Sequence, residues 1–474
     1  MPIFKLSFFV AMVCFLLMPC ANLCAESPEK PNVIVILIDD MGWNDLSCFG
    51  NKAIETPHID KLASEGITFT QYHVSAPICS PSRCGLLTGQ YPYRWKITSF
   101  LSNRKDNAER GVENWLDPKA PSSGRFFKDA GYMTGHFGKW HLGGQRDVGE
   151  APQISQYGFD ESLTNFEGLG PRALPLLNTF DGSEPKKYSL GSENLGKPEE
   201  ITWYDRNKVT TAFVDKSIGF IKKAQKENKP FFINLWPDDM HSPFFPAKSL
   251  RGDESKKALY HGVLVEMDQQ LAPLFDFIRN DETLSRNTLI VLFGDNGPEP
   301  GAGSSAPLRG TKGMLYEGGT RSSLIVWGPG LQNKTAQGTR NNVAVFQSVD
   351  MLPSLLKIAE INAPKGVTFD GEDFSAVMLG LEKNQERNNP IFWRRPPDRP
   401  GPQNEPWPDL ALKDGSWKFF MQFDGSRPQL YDIVKDVAET KNLAAKHPEL
   451  VAKYTQALKN WNQPLPKDAG ETVK

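Results

Sequence analysis

Short, almost unbroken apolar runs alternate with amphipathic segments along most of the chain. The clearest apolar runs cover residues 33–38 (VIVILI), 231–235 (FFINL) and 288–293 (TLIVLF), and a weaker one covers 132–136. Turn residues bound each run, and polar positions do not alternate within it. Each run is therefore typical of a strand that is buried on both faces, as in a parallel sheet.

Helical periodicity fills several of the intervals between these runs. Apolar residues recur three or four positions apart, which predicts helices over 60–65, 125–130, 210–227 and 257–279. Strands that alternate with helices over this length predict an α/β fold with a doubly wound sheet.

Residues 163–200 interrupt the alternation. They are rich in Gly, Pro and Ser and have no clear periodicity, which predicts a long surface loop. Residues 394–408 (RRPPDRPGPQNEPWP) are the most proline-dense part of the chain.

The pattern after residue 408 differs from the rest. Alternation punctuated by Asp-Gly at Asp414 and Asp424 predicts antiparallel hairpins. A helix is expected after Pro448, with one apolar face formed by Leu450, Val451, Tyr454, Leu458 and Trp461. We therefore expect a large α/β domain over 26–390 and a smaller C-terminal α+β subdomain over 391–474.

The N-terminus has the pattern of an export signal. Lys5 supplies a positive charge, and the apolar run over 6–18 is too short to span a bilayer comfortably. A signal peptide over 1–25 is expected, with cleavage after Ala25, so the mature protein would be periplasmic or secreted and free of the membrane. A lipid anchor on Cys20 or Cys24 is the alternative that the preceding residues disfavour.

The net charge argues against a nucleic-acid- or membrane-binding protein, and the cysteine count indicates an unusual thiol. The net charge of −2 over 474 residues provides no general attraction for nucleic acid or an anionic membrane. Three of the 6 cysteines lie in the predicted signal, which leaves Cys48, Cys79 and Cys84. An odd number in an oxidising compartment leaves at least one thiol unpaired or chemically altered.

Acidic and amide residues follow two of the predicted strands directly. Asp39-Asp40 ends the first run, and Asp295-Asn296 follows the 288–293 run. Ligands in open α/β sheets bind beyond the carboxyl ends of strands, and four hard oxygen ligands suit Ca²⁺ or Mg²⁺ rather than zinc. Either pair alone is better explained as turn or capping residues; the two together favour a metal.

The run ICSPSRCGLLTG (78–89) places a cysteine at the start of a predicted helix. Ser80 suits the N-cap and Pro81 the first helical position, so the helix dipole and Arg83 would favour an anion beside Cys79. We expect a lowered pKa for this thiol. The alternatives are a disulfide with Cys48 or Cys84, which is the favoured explanation for a lone exported cysteine, and simple burial of the thiol.

Four further basic residues stand in distinctive segments. HFGKWHLGG contains Lys139 and His141, PLRGTKGMLYEGGTR contains Lys312, and the segment after the 231–235 run contains His241. In isolation such a lysine is usually a solvated charge and such a histidine a structural residue.

Taken together, these segments resemble the type I sulfatase family of the alkaline phosphatase-like superfamily. The run over 79–89 is similar to the family signature C-x-P-S-R-x-x-x-x-T-G, which a maturation enzyme reads when it oxidises the cysteine to formylglycine (3-oxoalanine). PNVIVILIDDMGWNDL, GHFGKWHLG, His241-Ser242-Pro243, FGDNGP and RGTKGMLYEGGTR are similar to the other family blocks, in the expected order from residue 31 onward.

The resemblance implies a large mixed, mostly parallel sheet flanked by helices, and a metal-assisted nucleophile. Formylglycine at Cys79, once hydrated, would attack sulfur through one hydroxyl and expel sulfate through the other. One Ca²⁺ would be held by the modified Cys79 together with Asp39, Asp40, Asp295 and Asn296. A formylglycine-generating maturation enzyme is the expected protein partner.

The same resemblance implies roles for the basic residues. Arg83 would stabilise the hydrated aldehyde, and Lys139 and Lys312 would bind sulfate oxygens. His141 would act as the base that breaks down the intermediate, and His241 as the general acid towards the leaving oxygen.

For an exported member of this family we expect a sulfated oligosaccharide as substrate, with galactose- or N-acetylgalactosamine-type sulfates as a guess from the resemblance. The loops over 94–104, 165–172 and 391–396 are rich in aromatics and arginine, which suits sugar contacts; Trp95 and Trp393 are explained equally well as packing residues.

Two alternatives stay open. A phosphate mono- or diester hydrolase of the same superfamily is one, although no second set of metal ligands is evident. A catalytically inactive glycan-binding protein is the other, and the intact Lys139, His141, His241 and Lys312 argue against it.

Overall fold

The computed structural model describes residues 1–2 and 30–472. Apart from residues 1 and 2, the signal peptide predicted over 1–25 and its cleavage after Ala25 lie outside the described residues. The strands are β1 (Asn32–Ile38), β2 (Ile67–His73), β3 (Met133–Gly138), β4 (Glu161–Leu163), β5 (Arg172–Leu177), β6 (Lys186–Lys187), β7 (Ile201–Asp205), β8 (Phe231–Trp236), β9 (Thr288–Gly294), β10 (Arg321–Trp327), β11 (Thr339–Asn341), β12 (Phe346–Gln347), β13 (Ile391–Arg394), β14 (Leu410–Asp414), β15 (Trp417–Met421) and β16 (Gln429–Asp432).

The helices lie between these strands and agree with the predicted ones, with ends that differ by up to three residues. They are α1 (Pro57–Glu65), α2 (Cys79–Thr88), α3 (Arg104–Arg110), α4 (Ser123–Asp129), α5 (Val209–Lys226), α6 (Lys256–Asn280), α7 (Glu282–Asn287), α8 (Glu317–Thr320), α9 (Met351–Ile358), α10 (Ser375–Met378), α11 (Pro448–Asn462) and α12 (Ala469–Thr472).

A mixed, mostly parallel sheet forms the centre of the fold, as predicted. Its strand order is β11-β2-β10-β9-β1-β8-β3-β4, with β12 beside β2. The central strands β9, β1, β8 and β3 are mutually parallel neighbours, whereas β10 is antiparallel to both β9 and β2. The four predicted strands are all present here.

The unbroken apolar run of β1 follows from two cores, one on each face of this sheet. Val33, Val35 and Leu37 belong to one core, and Ile34 and Ile36 belong to the other. Successive side chains of a strand point to opposite faces, so a strand covered on both sides needs apolar residues at every position. Helices cover both faces, and the fold is therefore the predicted α/β class.

The C-terminal part of the chain forms a second, antiparallel sheet with the order β13-β14-β15-β16. Asp414 ends β14 and Gly415 begins the turn to β15, while Asp424-Gly425 lies between β15 and β16, as the hairpin prediction requires. Tyr454 and Leu458 of α11 are buried against this sheet, which confirms the predicted apolar face. The strand β13 begins at Ile391, where the subdomain boundary is predicted; the division into two domains stays a prediction.

The prediction of an irregular loop over 163–200 is wrong in part. The strands β5 and β6 lie in this stretch, and β5 pairs with β7 to form a small three-stranded sheet. The buried guanidinium of Arg172 donates hydrogen bonds to the carbonyls of Ser192 and Leu195, which organises the Gly- and Ser-rich segment without any periodic pattern.

No helix in the described part of the chain combines the length and the apolar composition needed to cross a membrane.

Candidate active site

Two neighbouring parallel strands bring the acidic residues together. The register pairs Ile38 of β1 with Gly294 of β9, so the residues that follow each strand emerge side by side. Asp39, Asp40 and Asp295 each place an oxygen within 4.8 Å of the others, and all three side chains are fully buried. The backbone of Asp40 has a φ of 55°, a left-handed conformation that Asp tolerates and that often occurs at functional sites.

Two buried oxygen atoms in this cluster make no hydrogen bond, which indicates whether the cluster could hold a cation. Asn296 Nδ2 donates to Asp40 Oδ1 at 2.7 Å, whereas Asn296 Oδ1 is buried without a hydrogen bond. Asp39 Oδ1 also lacks a hydrogen bond, although Arg83 lies 3.1 Å away. Buried acceptors are normally satisfied, and carboxylate and amide oxygens are the ligands of hard divalent cations. The four residues therefore fit a Ca²⁺ or Mg²⁺ site.

The Arg83 side chain, from α2, contacts acidic residues at the ends of both β1 and β9. Its Nη2 lies 2.8 Å from Asp295 Oδ2 and 3.1 Å from Asp39 Oδ1, and its Nη1 donates to the Lys139 carbonyl at 2.6 Å. All of these groups are buried, so the guanidinium is held in one orientation. In this arrangement Arg83 contacts the proposed metal ligands.

Two lysines complete the charge balance of the site. Lys139 Nζ donates to Asp39 Oδ2 at 2.6 Å, and Lys312 Nζ donates to Asp40 Oδ2 at 2.7 Å. Burial disfavours ionisation, yet the charges of Lys139 and Arg83 hold the pKa of Asp39 well below its ordinary value. Burial and the neighbouring Asp39 carboxylate raise the pKa of Asp295 well above its ordinary value, a penalty that a divalent cation would relieve.

Cys79 is the first residue of α2 and is 2% exposed. The predicted N-cap is wrong, because the helix starts before Ser80 and Ile78 occupies the cap position. Ser80 Oγ instead accepts a hydrogen bond from the Leu101 backbone N–H at 3.0 Å. Ser80 therefore anchors the segment that also contacts His141.

The prediction of a lowered Cys79 pKa is also wrong. Burial raises the pKa of this thiol, although the positive charges of Lys139 and Lys312 act in the opposite direction. Cys48, Cys79 and Cys84 are all free, so the structure does not contain the alternative disulfide. An unmodified thiol at this position is a poor nucleophile, because the thiolate is the reactive form.

The segment that carries Lys312 is fixed against both the Cys79 helix and the end of β9. The Gly313 N–H donates to the Pro77 carbonyl at 2.7 Å, and the Lys312 N–H donates to the Pro298 carbonyl at 3.2 Å. A Cβ on Gly318 would lie 2.2 Å from the Gly310 carbonyl oxygen, so only glycine permits this close return of the chain.

His141 has the geometry of a base. Its Nε2 lies 2.9 Å from the Leu101 carbonyl, which only accepts, so Nε2 bears the proton and Nδ1 bears the lone pair. Nδ1 is buried and makes no hydrogen bond. Burial lowers the pKa of His141 to about 4, with Lys139 acting in the same direction and Glu167 opposing, so the ring is neutral near pH 7.

His241 directs Nε2 towards the cluster, 4.0 Å from Asp40 Oδ2, while Nδ1 lies 2.8 Å from the Ser242 carbonyl. Burial together with the charges of Lys139 and Lys312 lowers the pKa of His241 well below its ordinary value. The side chain keeps 35% exposure, so the two ammonium groups are the firmer cause. A general acid must be protonated, and the free protein holds this ring neutral.

Sequence reasoning missed residues that support the site. The Tyr260 hydroxyl, near the start of α6, donates to the Asp40 carbonyl at 3.1 Å and also contacts the buried Asp45 carboxylate. Glu167 Oε1 lies 3.8 Å from His141 Nε2. Nothing in the local pattern marks any of these three, because each acts through a partner far away in the chain.

The structure makes Trp393 a packing residue and gives Trp95 a partly buried packing position. Trp393 is fully buried, and its Nε1 donates to the Val74 carbonyl at 2.7 Å. Trp95 is partly buried against one of the two cores, and its Nε1 donates to Gln90 Oε1.

The family model, the relatives and the solved structures that are similar to this chain are those of sulfatases. The family model described as Sulfatase matches residues 31–361. N-acetylgalactosamine-6-sulfatase of Canis lupus familiaris is 29% identical over 384 residues, 78% of this chain and 70% of that protein. N-acetylgalactosamine-6-O-sulfatase of Bacteroides thetaiotaomicron is 27% identical over 506 aligned residues, which cover 92% of this chain and 94% of that protein.

A similar solved structure is that of Ps i-CgsB in complex with k-i-k-neocarrahexaose, with 24% identity, a TM-score of 0.75 and coverage of 91% of this chain and 92% of that one. This likeness confirms the fold. The family match covers most of the chain. The acidic cluster and the basic side chains of Arg83, Lys139 and Lys312 lie within the matched residues. The chain belongs to the sulfatase family, the hydrolases of sulfate esters.

Proposed function

We propose that this protein is an exported sulfatase that releases sulfate from carbohydrate. The observation that carries the proposal is the buried cluster of three carboxylates balanced by Arg83, Lys139 and Lys312 beside Cys79. Sulfate esters of N-acetylgalactosamine are the first substrates to examine, because two relatives that align with most of this chain bear the names N-acetylgalactosamine-6-sulfatase and N-acetylgalactosamine-6-O-sulfatase.

The cofactors of the proposal are one Ca²⁺ and a formylglycine made from Cys79. Asp39, Asp40, Asp295 and Asn296 would hold the ion, since the three carboxylates lie within 4.8 Å of one another and the buried Asp39 Oδ1 and Asn296 Oδ1 make no hydrogen bond. Ca²⁺ would neutralise charge on a sulfate oxygen, and formylglycine would supply the oxygen nucleophile that a protonated thiol lacks.

The two lysines would bind the sulfate group. Each now pairs with one proposed metal ligand, and each would turn to an incoming sulfate when a cation satisfies that carboxylate. Positive charge held before the reaction begins is worth far more in a buried, water-poor site than in bulk water. Arg83 stays in place, because its guanidinium contacts Asp295, Asp39 and the Lys139 carbonyl.

The two histidines would move protons. His141 would accept a proton at Nδ1, which is neutral and unpartnered. His241 would donate a proton from Nε2 to the leaving oxygen; bound sulfate would offset the charges of Lys139 and Lys312 that now lower its pKa. A sugar alkoxide is a poor leaving group, so such an acid should contribute about 10²–10⁴-fold.

A phosphate-ester hydrolase and an inactive glycan-binding protein are the competing functions. Among the residues that the structure describes, no second group of three metal-ligating side chains accompanies Asp39, Asp40 and Asp295. A single cation favours sulfate over the two-metal chemistry of phosphomonoesterases.

The decisive experiment joins mass spectrometry with two matched chromogenic esters. Protein co-produced with a formylglycine-generating enzyme should contain formylglycine at position 79 and hydrolyse nitrophenyl sulfate much faster than nitrophenyl phosphate. Active protein with unmodified Cys79 would overturn the proposal, and preference for the phosphate would establish the competing hydrolase. Sulfate release from 6-sulfated and 4-sulfated N-acetylgalactosamine then tests the sugar.

A further inference from the structure

A cavity of about 650 Å³ lies between the segment 309–316 and the C-terminal sheet. Its walls include Arg309, Met314, Trp407, Arg427, Gln429 and Tyr431. Trp407 belongs to the proline-dense segment over 394–408, which the proposed mechanism does not use. Cationic, aromatic and amide side chains in one concave site are the groups that bind anionic sugars.

Two of these side chains, Arg427 and Trp407, have polar or aromatic groups that pair with no described residue. Arg427 is exposed, and its guanidinium makes no ion pair and no hydrogen bond with any described residue. The partly buried Trp407 ring pairs with no other described aromatic ring, and its Nε1 donates to no described acceptor. The fork of an arginine suits a sulfate or carboxylate, and an indole face suits the C–H face of a sugar.

The opposite wall is held rigidly. The Arg309 guanidinium lies 3.8 Å from the centroid of the Tyr316 ring, and its Nη1 donates to the Tyr431 hydroxyl at 3.3 Å and to the Glu439 carbonyl at 3.2 Å. One carboxylate, that of Glu405, also lines the cavity. With two guanidinium groups against one carboxylate, the cavity carries a net positive charge.

The cavity borders the active site through a single segment of the chain. Gly310 and Met314 line the cavity, while Lys312 between them donates to Asp40. The Gly313 N–H is bound to the Pro77 carbonyl, two residues before Cys79. Arg399, in the proline-dense segment, approaches the other side of Gly313, where an added Cβ would lie 3.3 Å from its Cδ.

We propose that this cavity binds a second sugar residue of a sulfated oligosaccharide, with the sugar ring against Trp407 and its anionic group at Arg427. The inference rests on the proposed function, since it assigns a binding site to the sugar next to the one that loses its sulfate. The shared chemistry of the bound group is an anion on a sugar, either a sulfate ester or the carboxylate of a uronic acid.

The test compares Arg427→Ala and Trp407→Ala with the unaltered protein on three substrates. These are nitrophenyl sulfate, 6-sulfated N-acetylgalactosamine, and a tetrasaccharide in which that sugar alternates with uronic acid. Each variant should lower kcat/KM for the tetrasaccharide about tenfold, the effect of one charge-assisted hydrogen bond or one stacked ring, and leave the two small substrates unchanged. Arg286→Ala, an exposed arginine on α7, is the matched control and should change none of the three.

Two further arms identify the anion and separate this inference from the proposed function. Reduction of the uronic carboxyls to alcohols should abolish the effect of Arg427→Ala if the carboxylate is the bound group; persistence of the effect assigns the sulfate. Calorimetry measures the affinity for the tetrasaccharide without turnover, and Arg427→Ala should weaken it about tenfold. Unaltered affinity, or equal fractional changes of kcat/KM on all three substrates, overturns the inference. A protein that binds the tetrasaccharide through Arg427 but hydrolyses no sulfate ester would overturn only the proposed function.

Discussion

Lys312 Nζ donates a hydrogen bond to Asp40 Oδ2 at 2.7 Å, across 272 residues of chain. The Asp40 side chain is fully buried and that of Lys312 is 12% exposed, so only the lysine of this pair keeps contact with solvent. Lys139 and Asp39 form the equivalent pair on the other side. Each proposed sulfate-binding lysine thus contacts a proposed metal ligand, and occupation by a cation and by sulfate should be coupled.

Replacement of Lys312 should damage turnover far more than folding. Lys312→Ala removes one of the two ammonium groups placed for the sulfate oxygens, and we expect nitrophenyl sulfate turnover to fall by about 10²–10³. Lys256→Ala, whose ion pair with Glu299 is half exposed, is the control and should leave turnover unchanged. Steady-state kinetics on both purified variants decides the matter; equal rates would remove Lys312 from the site.

Calcium should stabilise the folded protein, independently of activity. Three buried carboxylates within 4.8 Å of one another repel, and a cation bound only by the folded state stabilises it by about 2.7 kcal/mol at a hundredfold excess over Kd. Removal of Ca²⁺ with a chelator should lower the melting temperature, and added Ca²⁺ should restore it.

The matched variants are Asp40→Asn, inside the cluster, and Glu282→Gln, whose side chain is 78% exposed on α7. The calcium-dependent shift in melting temperature should be much smaller in Asp40→Asn and unchanged in Glu282→Gln. Shifts of the same size in both variants would locate the ion elsewhere.

His241 should matter in proportion to the basicity of the leaving group. His241→Ala removes the proposed donor, so turnover of a sugar sulfate should fall by about 10²–10⁴, whereas an activated aryl sulfate needs little protonation and should lose much less. The ratio of kcat/KM values for the two substrates is the measurement. Equal losses would reassign His241 to a structural role.

Stability should fall in acid partly because of a histidine outside the proposed chemistry. His136 is fully buried, both ring nitrogens lack hydrogen bonds, and burial, with Arg83 acting in the same direction, lowers its pKa to about 3. A group with a depressed folded pKa binds protons mainly when unfolded. Its contribution is therefore fully present above the unfolded value of 6.5 and is lost towards pH 3, at about 1.4 kcal/mol per pH unit.

His136→Phe should make the free energy of unfolding less dependent on pH, as measured by urea denaturation at about pH 7.5 and about pH 5. Phe159→Leu is the packing control, because the Phe159 ring lies 5.6 Å from that of His136 and does not titrate. It should lower stability by the same amount at both pH values. An unchanged pH slope in His136→Phe would contradict the prediction.

The packing of the C-terminal sheet should depend on a buried ion pair between β15 and α8. Lys418 Nζ of β15 donates to Glu317 Oε1 at 2.7 Å, and both side chains are fully buried. Lys418→Met leaves Glu317 without this partner and should lower the free energy of unfolding by about 3–5 kcal/mol. Lys453→Met breaks an exposed pair with Asp414 and should cost less than about 1 kcal/mol. Similar losses in the two variants would show that burial does not govern the effect.

Much of the fold was predictable because burial shows in the local pattern of apolar residues. The alternation of β1 residues between two cores requires an unbroken apolar run, and that run is evident in the sequence. The stretch over 163–200 was not, since its order depends on the pairing of β5 with β7 and on the hydrogen bonds of Arg172. Those partners are distant in sequence and leave no periodic pattern.

The sequence by itself determined which residues follow the strands, because the apolar runs end where the acidic residues begin. The carboxyl ends of parallel neighbours share one edge of a sheet, so Asp39 and Asp40 had to lie beside Asp295 once β1 and β9 paired. Only the tertiary structure decided which lysine pairs with which carboxylate. It also decided that Cys79 is a buried free thiol with a raised pKa. Desolvation and Coulomb forces depend on distances in space, and no spacing along the chain specifies them.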